Sequence, residues 1–329
     1  MPFYRSSTRA RAAFEALSSE LEPVFGELNG ARVDALVDAL AKGEGLPPDL
    51  TREALLRGGL PRIRPVLVVL AARAREAGQT LDPQVAVEAA TLAELLQAAI
   101  WLHDTALGRP EGRRRRAALR VLHGVGASHL TLRALELARV LPAPGLMGDV
   151  LDTWRELADT RPSWGRTWSA SDTLAHVETR SGSMFAFACR VGGRLSGADV
   201  TELSCLSRYG RNMGVAWQLT SELASFESVD QRRELVRDAS VGRPLYPFAW
   251  ACEQDHDVAR LGARLAHRFV PGLADELAGR VQAAGGLLAS REAAVSATWH
   301  ARRALQDLPE SAARLDMDRL ASSIGRLAA

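Results

Sequence analysis

Lysine is nearly missing from this chain. Of its 41 basic side chains one is a lysine, Lys42, and the rest are arginines, a skew that reads as genome composition more than function. Cysteine is scarce too: Cys189, Cys205 and Cys252 are scattered, odd in number and without CxxC spacing, which excludes a disulfide framework and a zinc site and fits a reducing compartment. Long apolar runs are absent. The longest unbroken one, "VLVVLAA" at 66–72, is far too short to cross a bilayer, and the first residues, "MPFYRSSTRARAAFEAL", hold no apolar core of signal type. A net charge of +2 is too small to argue for nucleic acid. Strict alternation of β-branched residues is missing as well, which removes the usual signature of strands. These absences predict a soluble cytoplasmic protein with no transmembrane segment.

What the chain does have is helical periodicity almost throughout. Alanine, leucine and arginine dominate, with apolar residues at steps of three and four. Gly/Pro clusters at 43–49, 57–61, 108–112, 141–145, 160–165, 192–198 and 242–247 separate the periodic segments. None is long or polar enough to divide the chain, so the expectation is a single all-α domain over 1–329. Two helices matter most. One is predicted over 83–107, with Gln97, Trp101, Asp104 and Gly108 on one face. The other is predicted over 200–227, opened by a capping box of Asp199 and Glu202. Its stripe runs Leu206, Gly210, Met213, Trp217, Ser221 and Ser225, and Gly210 and Gly214 would let another helix approach closely. On periodicity alone both stripes read as helix packing. The histidines show no ligand spacing and read as packed or exposed. The segment "WLHDTALGRPEGRRRR" at 101–116 stands apart: a helix ends in a lone acid, Asp104, and Arg113 to Arg116 come after it.

Taken in order, five segments resemble one family. "GGLPRIRP" at 58–65 resembles the GGKRLRP segment of the trans-isoprenyl diphosphate synthases, the polyprenyl synthetase family. "AELLQAAIWLHDTAL" at 93–107 resembles that family's helix ending in HDD, and "RSGSMFAFA" at 180–188 its KT helix. "YGRNMGVAWQLTSELASF" at 209–226 resembles the helix that carries FQ and the second DDxxD motif, and "DASVGRPLYP" at 238–247 the late GK segment. Order and spacing agree over roughly 20–300. The resemblance implies an all-α isoprenoid-synthase bundle of ten or more helices around a central cavity, usually dimeric. It also implies prenyl transfer, in which Mg²⁺ ions held by two DDxxD motifs neutralise the leaving diphosphate.

The acidic positions depart from that pattern. "DTALG" keeps Asp104 and has Thr105 and Gly108 where carboxylates belong; "SELAS" keeps one acid as Glu222 between Ser221 and Ser225. The cationic and polar positions carried by the resemblance survive better. Arg62 and Arg64 stand in the first segment, with Pro61 at the lysine. Gln97 replaces a histidine, and Arg115 and Arg116 come after the first motif. Arg180 and Ser181 replace KT, Gln218 is kept, and Arg243 replaces the late lysine. A class I terpene cyclase matches poorly, since Val229 stands where its last acid belongs. Asp104 and Glu222 are the catalytic and metal-ligating candidates if the chain is active; the remaining residues named are the candidate diphosphate binders. Losing carboxylates from a site lined by arginines leaves a place for an anion and a poor one for several Mg²⁺ ions, so Mg²⁺ is expected to bind weakly or not at all. The leading expectation is a degenerate, non-catalytic homologue: a prenyl diphosphate binder, or the partner of an active synthase, as homodimer or heterodimer. The alternatives are an active prenyltransferase with a metal-poor site and a scaffold that kept only the fold.

Overall fold

A computed structural model describes residues 63–75, 81–107, 114–159, 169–228, 232, 235, 238, 243, 245–267 and 271–328. The described elements are helices: α1 (Ile63–Arg73), α2 (Pro83–Leu107), α3 (Arg114–Val140), α4 (Leu146–Asp159), α5 (Ala170–Val177), a π-helical turn (Glu178–Gly182), α6 (Ser183–Leu195), α7 (Val200–Glu227), α8 (Tyr246–Gln254), α9 (His256–His267), α10 (Pro271–Ala283), α11 (Gly286–Ala304) and α12 (Ala312–Ala328). The all-α bundle of more than ten helices expected from the sequence is what forms. The helices predicted over 83–107 and 200–227 occupy those spans, and the Asp199–Glu202 capping box is closed in both directions.

Two apolar clusters hold the bundle. The larger runs from Ile63 in α1 to Ala328 in α12 and includes the stripes of α2, α6 and α7; Trp101 and Trp217 pack against its edge. The smaller joins Leu223 and Phe226 at the end of α7 to α8, α9 and α10. Helix α2 is buried nearly all round, and its window Pro83–Asp104 is long and apolar enough by composition to cross a membrane. That window is 72% buried inside the protein, so it reads as a core helix. No unbroken apolar run marks it, because Glu88, Thr91, Glu94 and Gln97 interrupt the stretch without making it polar.

Helix α7 lies directly on the backbone of the segment before it. A Cβ on Gly210 would sit 2.5 Å from the Phe185 carbonyl oxygen, and one on Gly214 2.4 Å from that of Ser181. Glycine is required at both for this approach. Opposite Gly214 the helix Ala170–Leu195 widens into its π turn, with helical backbone at Val177 on one side and Ser183 on the other. Turns of this kind are frequent at functional sites because they redirect the side chains they carry.

Helix α4 is fixed from the same side. Arg194 forks onto the carboxylate of Asp149, and Arg190 donates to Thr153 Oγ1 at 2.8 Å. Arg211 of α7 bridges Glu156 at 3.0 Å and Ser183 Oγ at 3.1 Å. With these partners in place, α4 is held as a wall against the π turn.

Replacing Gly214 by Ala drives a methyl into a carbonyl that belongs to a packed helix, and is expected to lower the unfolding free energy by about 2 kcal/mol. At Gly124 in α3 an added Cβ would meet nothing within 4 Å, so Gly124→Ala is expected to raise stability by up to ~1 kcal/mol through helix propensity. Denaturant melts of both variants check the contrast.

Candidate functional site

The site is assembled where the C-terminal end of α2, the π turn, the last third of α7 and the N-terminus of α8 meet. Asp104 stands at the end of α2, beside His103, whose ring packs edge-on against Trp154 with centroids 5.4 Å apart. Arg180, in the middle of the π turn, pairs with Asp104 through Nη2. Its Nη1 donates to the Leu157 carbonyl in the last turn of α4 at 3.0 Å. The guanidinium is 16% exposed; burial first, and the neighbouring charge of Arg243 second, pull its pKa down to about 10. It remains a cation at neutral pH.

One residue along, Ser181 starts a hydrogen-bonded chain. Ser181 Oγ donates to Gln218 Oε1 at 3.0 Å, Gln218 Nε2 donates to Glu222 Oε1 at 2.9 Å, and the backbone N–H of Tyr246 donates to Glu222 Oε2 at 2.9 Å. Glu222 thus satisfies an orphan N–H at the start of α8, whose N-cap residue, Leu245, has no side chain that can. Only 4% of Glu222 is exposed, and burial pushes its carboxyl up to about 7 against the pull of Gln218, Tyr246 and Arg243. Ser221, next to it, turns its hydroxyl back to the Trp217 carbonyl at 2.8 Å.

Arg243 is more exposed, 3.6 Å from Asp238, and its charge is felt by Arg180, Glu222 and His176. Sequence spacing gives His176 no role beyond a packed or exposed side chain. In the structure it lies one turn before Arg180, and burial, followed by Arg243, lowers its imidazole to about 4, so it is neutral at physiological pH. The only sequence signal is its spacing of four from Arg180, which periodicity by itself gives no reason to select.

The structure therefore brings Asp104, Arg180, Ser181, Gln218, Glu222 and Arg243 together. Arg64 lies elsewhere in α1, its Nε 2.9 Å from Glu94 on α2, in a pair buried on both sides. Gln97 is half-buried in α2, two turns before Asp104. Arg62 lies outside the described residues, and Arg115 and Arg116 fall in the first turn of α3 with their side chains outside that description. Among the described residues no three His, Cys, Asp or Glu side chains come together in a way that could hold a metal ion.

Solved structures place this bundle in one fold class. A polyprenyl synthase from Caulobacter crescentus, complexed with calcium and isoprenyl diphosphate, superposes with a TM-score of 0.75 at 20% identity, covering 99% of each chain. A decaprenyl diphosphate synthase from Rhodobacter capsulatus does so with a TM-score of 0.72 at 22% identity, over 95% of this chain and 98% of its own. In sequence the chain is 27% identical over 249 residues to the nonaprenyl diphosphate synthase of Mycobacterium tuberculosis, covering 71% of this chain and 73% of that protein. It is 25% identical over 271 residues to the octaprenyl diphosphate synthase of Escherichia coli, covering 78% and 83%. The chain belongs to the polyprenyl synthetase family, whose sequence model matches residues 51–269.

The two titrating groups give the site a pH signature. Glu222 holds its proton more tightly folded than unfolded, so its contribution to stability is complete below 4.5 and is lost as pH rises through about 7. His176 works the other way: its contribution is complete above 6.5 and is lost as pH falls through about 4. Of the two, only Glu222 still changes stability with pH above 6.5. Glu222→Gln removes the titration and can keep the chain of bonds if the Gln218 amide rotates. It is expected to melt above wild type at pH 8, by a margin on the order of 3 kcal/mol or less. That margin should close toward pH 5; one that ignores pH would assign the effect to packing.

Proposed function

We propose that this chain is a non-catalytic member of its family that binds prenyl diphosphates and works beside an active synthase. The observation that carries the reading is the state of its two surviving acids. Asp104 is joined to Arg180, and Glu222 is held by Gln218 and the start of α8, while Thr105, Gly108, Ser221 and Ser225 stand where further carboxylates would be needed. Mg²⁺ demands near-octahedral oxygen ligands and is held by carboxylates that face the phosphate. This donor set does not fit a cluster of such ions, and nearby arginines oppose them further.

Support for the ligand comes from the cations. Arg180 and Arg243 flank the site, and guanidinium groups bind phosphate oxygens through two parallel bonds. The Caulobacter crescentus relative was solved with isoprenyl diphosphate. For assembly, α3 and α4 turn Val121, Val125, Leu132, Val140 and Leu151 outward. An outward apolar stripe of this kind suits pairing with a second copy or with a homologous synthase. We read the whole of 1–329 as one domain acting in the cytoplasm, without nucleic acid.

The purified chain is expected to show no Mg²⁺-dependent condensation of isopentenyl diphosphate with an allylic diphosphate. Calorimetry is expected to show geranylgeranyl diphosphate binding in the absence of Mg²⁺. Turnover by the chain alone would establish the alternative, an active prenyltransferase with a metal-poor site, and loss of that turnover in Asp104→Asn and Glu222→Gln would assign it to these acids. Absence of binding under every condition would leave a scaffold.

A further inference from the structure

In a metal-dependent site the first-motif carboxylate draws the diphosphate in through the ion it holds. Here the same position does something else. Asp104 reaches across from the end of α2 to Nη2 of Arg180, in a site where the two side chains are 28% and 16% exposed. The other terminal nitrogen of that guanidinium is already held by the Leu157 carbonyl. A guanidinium offers five N–H groups in a rigid plane, and a phosphate needs a whole edge of it to bind with two parallel bonds. Of the two terminal nitrogens, one is taken by the protein backbone and the other by Asp104.

We propose that Asp104 acts as a built-in competitor for the anionic ligand, occupying Arg180 until a diphosphate displaces it. The inference rests on the reading of this site as a diphosphate binder and adds how its affinity is set.

The charges at the site give the sign. Arg180 and Arg243 bring two positive charges, and Asp104 cancels one. His176 contributes none at neutral pH, since burial keeps it neutral. Glu222 is directed away, onto Gln218 and the Tyr246 N–H. An arriving diphosphate must therefore part Asp104 from Arg180 and then remain close to the released carboxylate. Both steps weaken binding. Neither is offset where the carboxylate lacks the neighbouring acids that would let it take up a metal ion. Within a half-buried site such a competition is only partly screened by solvent. Asp104 would also keep Arg180 oriented while the site is empty, which explains why an acid at this position is compatible with a site that has lost its other acids.

The consequence runs against the behaviour of a metal site. Removing the charge at Asp104 should tighten the binding of a diphosphate when no divalent ion is present. The test is calorimetric titration of the full chain with inorganic pyrophosphate and with geranylgeranyl diphosphate, in EDTA and again with Mg²⁺. It compares wild type with Asp104→Asn, Asp104→Ser and Asp104→Glu. Two neutral variants are used so that a folding defect in one does not decide the result, and thermal melts identify such a defect.

In EDTA the neutral variants are expected to bind both ligands about tenfold more tightly than wild type, and Asp104→Glu no more tightly. The inference is overturned, with the diphosphate-binding reading left standing, if wild type binds and the neutral variants bind equally or more weakly. It is overturned too if Asp104→Glu tightens binding as much as the neutral variants, because the effect would then be one of shape. Failure of wild type and of every variant to bind either ligand removes this inference and the proposed function together.

Discussion

Backbone lies on backbone where α7 crosses the helix Ala170–Leu195, and the site depends on that contact. Gly214 admits the Ser181 carbonyl to a distance that no side chain would leave open. Once α7 is seated there, helical geometry places the remaining groups. Gln218 comes one turn later, opposite the Ser181 hydroxyl, and Glu222 one turn after that, at the start of α8. A single close approach thereby lines up a serine, an amide, a carboxyl and a helix terminus in order. The neighbouring π turn aims Arg180 the other way, toward α2 and α4.

Electrostatics then decides what these groups can do. Burying a carboxylate is costly without a partner, and each of the two acids near the site has found one within the protein. Asp104 has a guanidinium; Glu222 has an amide and a backbone N–H, and still has its proton affinity raised by burial. The same logic governs Arg180, whose largely buried charge is balanced by Asp104 and whose N–H groups are received by Asp104 and the Leu157 carbonyl. Cations and anions in this site have been matched to one another, and Arg243, at the exposed edge, adds positive charge on the side from which a ligand would approach.

Much of this was legible in the sequence. Periodicity located α2 and α7, the spacing of Asp199 and Glu202 announced the capping box, and the pair Gly210 and Gly214 signalled a close approach. Those features are local, and local spacing encodes them. The partners were less legible. Arg64 and Glu94 are thirty residues apart, and nothing near either one reveals the fork between them. His176 gains its significance from burial and from Arg243, which lies far along the chain. Gln218 was legible as a kept residue, but its role as the link between Ser181 and Glu222 exists only after three helices meet.

The π turn also restricts how the chain can change length. An ordinary helical turn takes 3.6 residues, so deleting one residue from a wider turn would wind it back to a regular helix and rotate everything beyond by about 100°. Arg180 and Ser181 would then face new directions, and Phe185 would no longer present its carbonyl to Gly210. Most positions along Ala170–Leu195 can exchange one side chain for another and keep their bearing. This turn counts residues, and an insertion or deletion within it alters the aim of the whole helix.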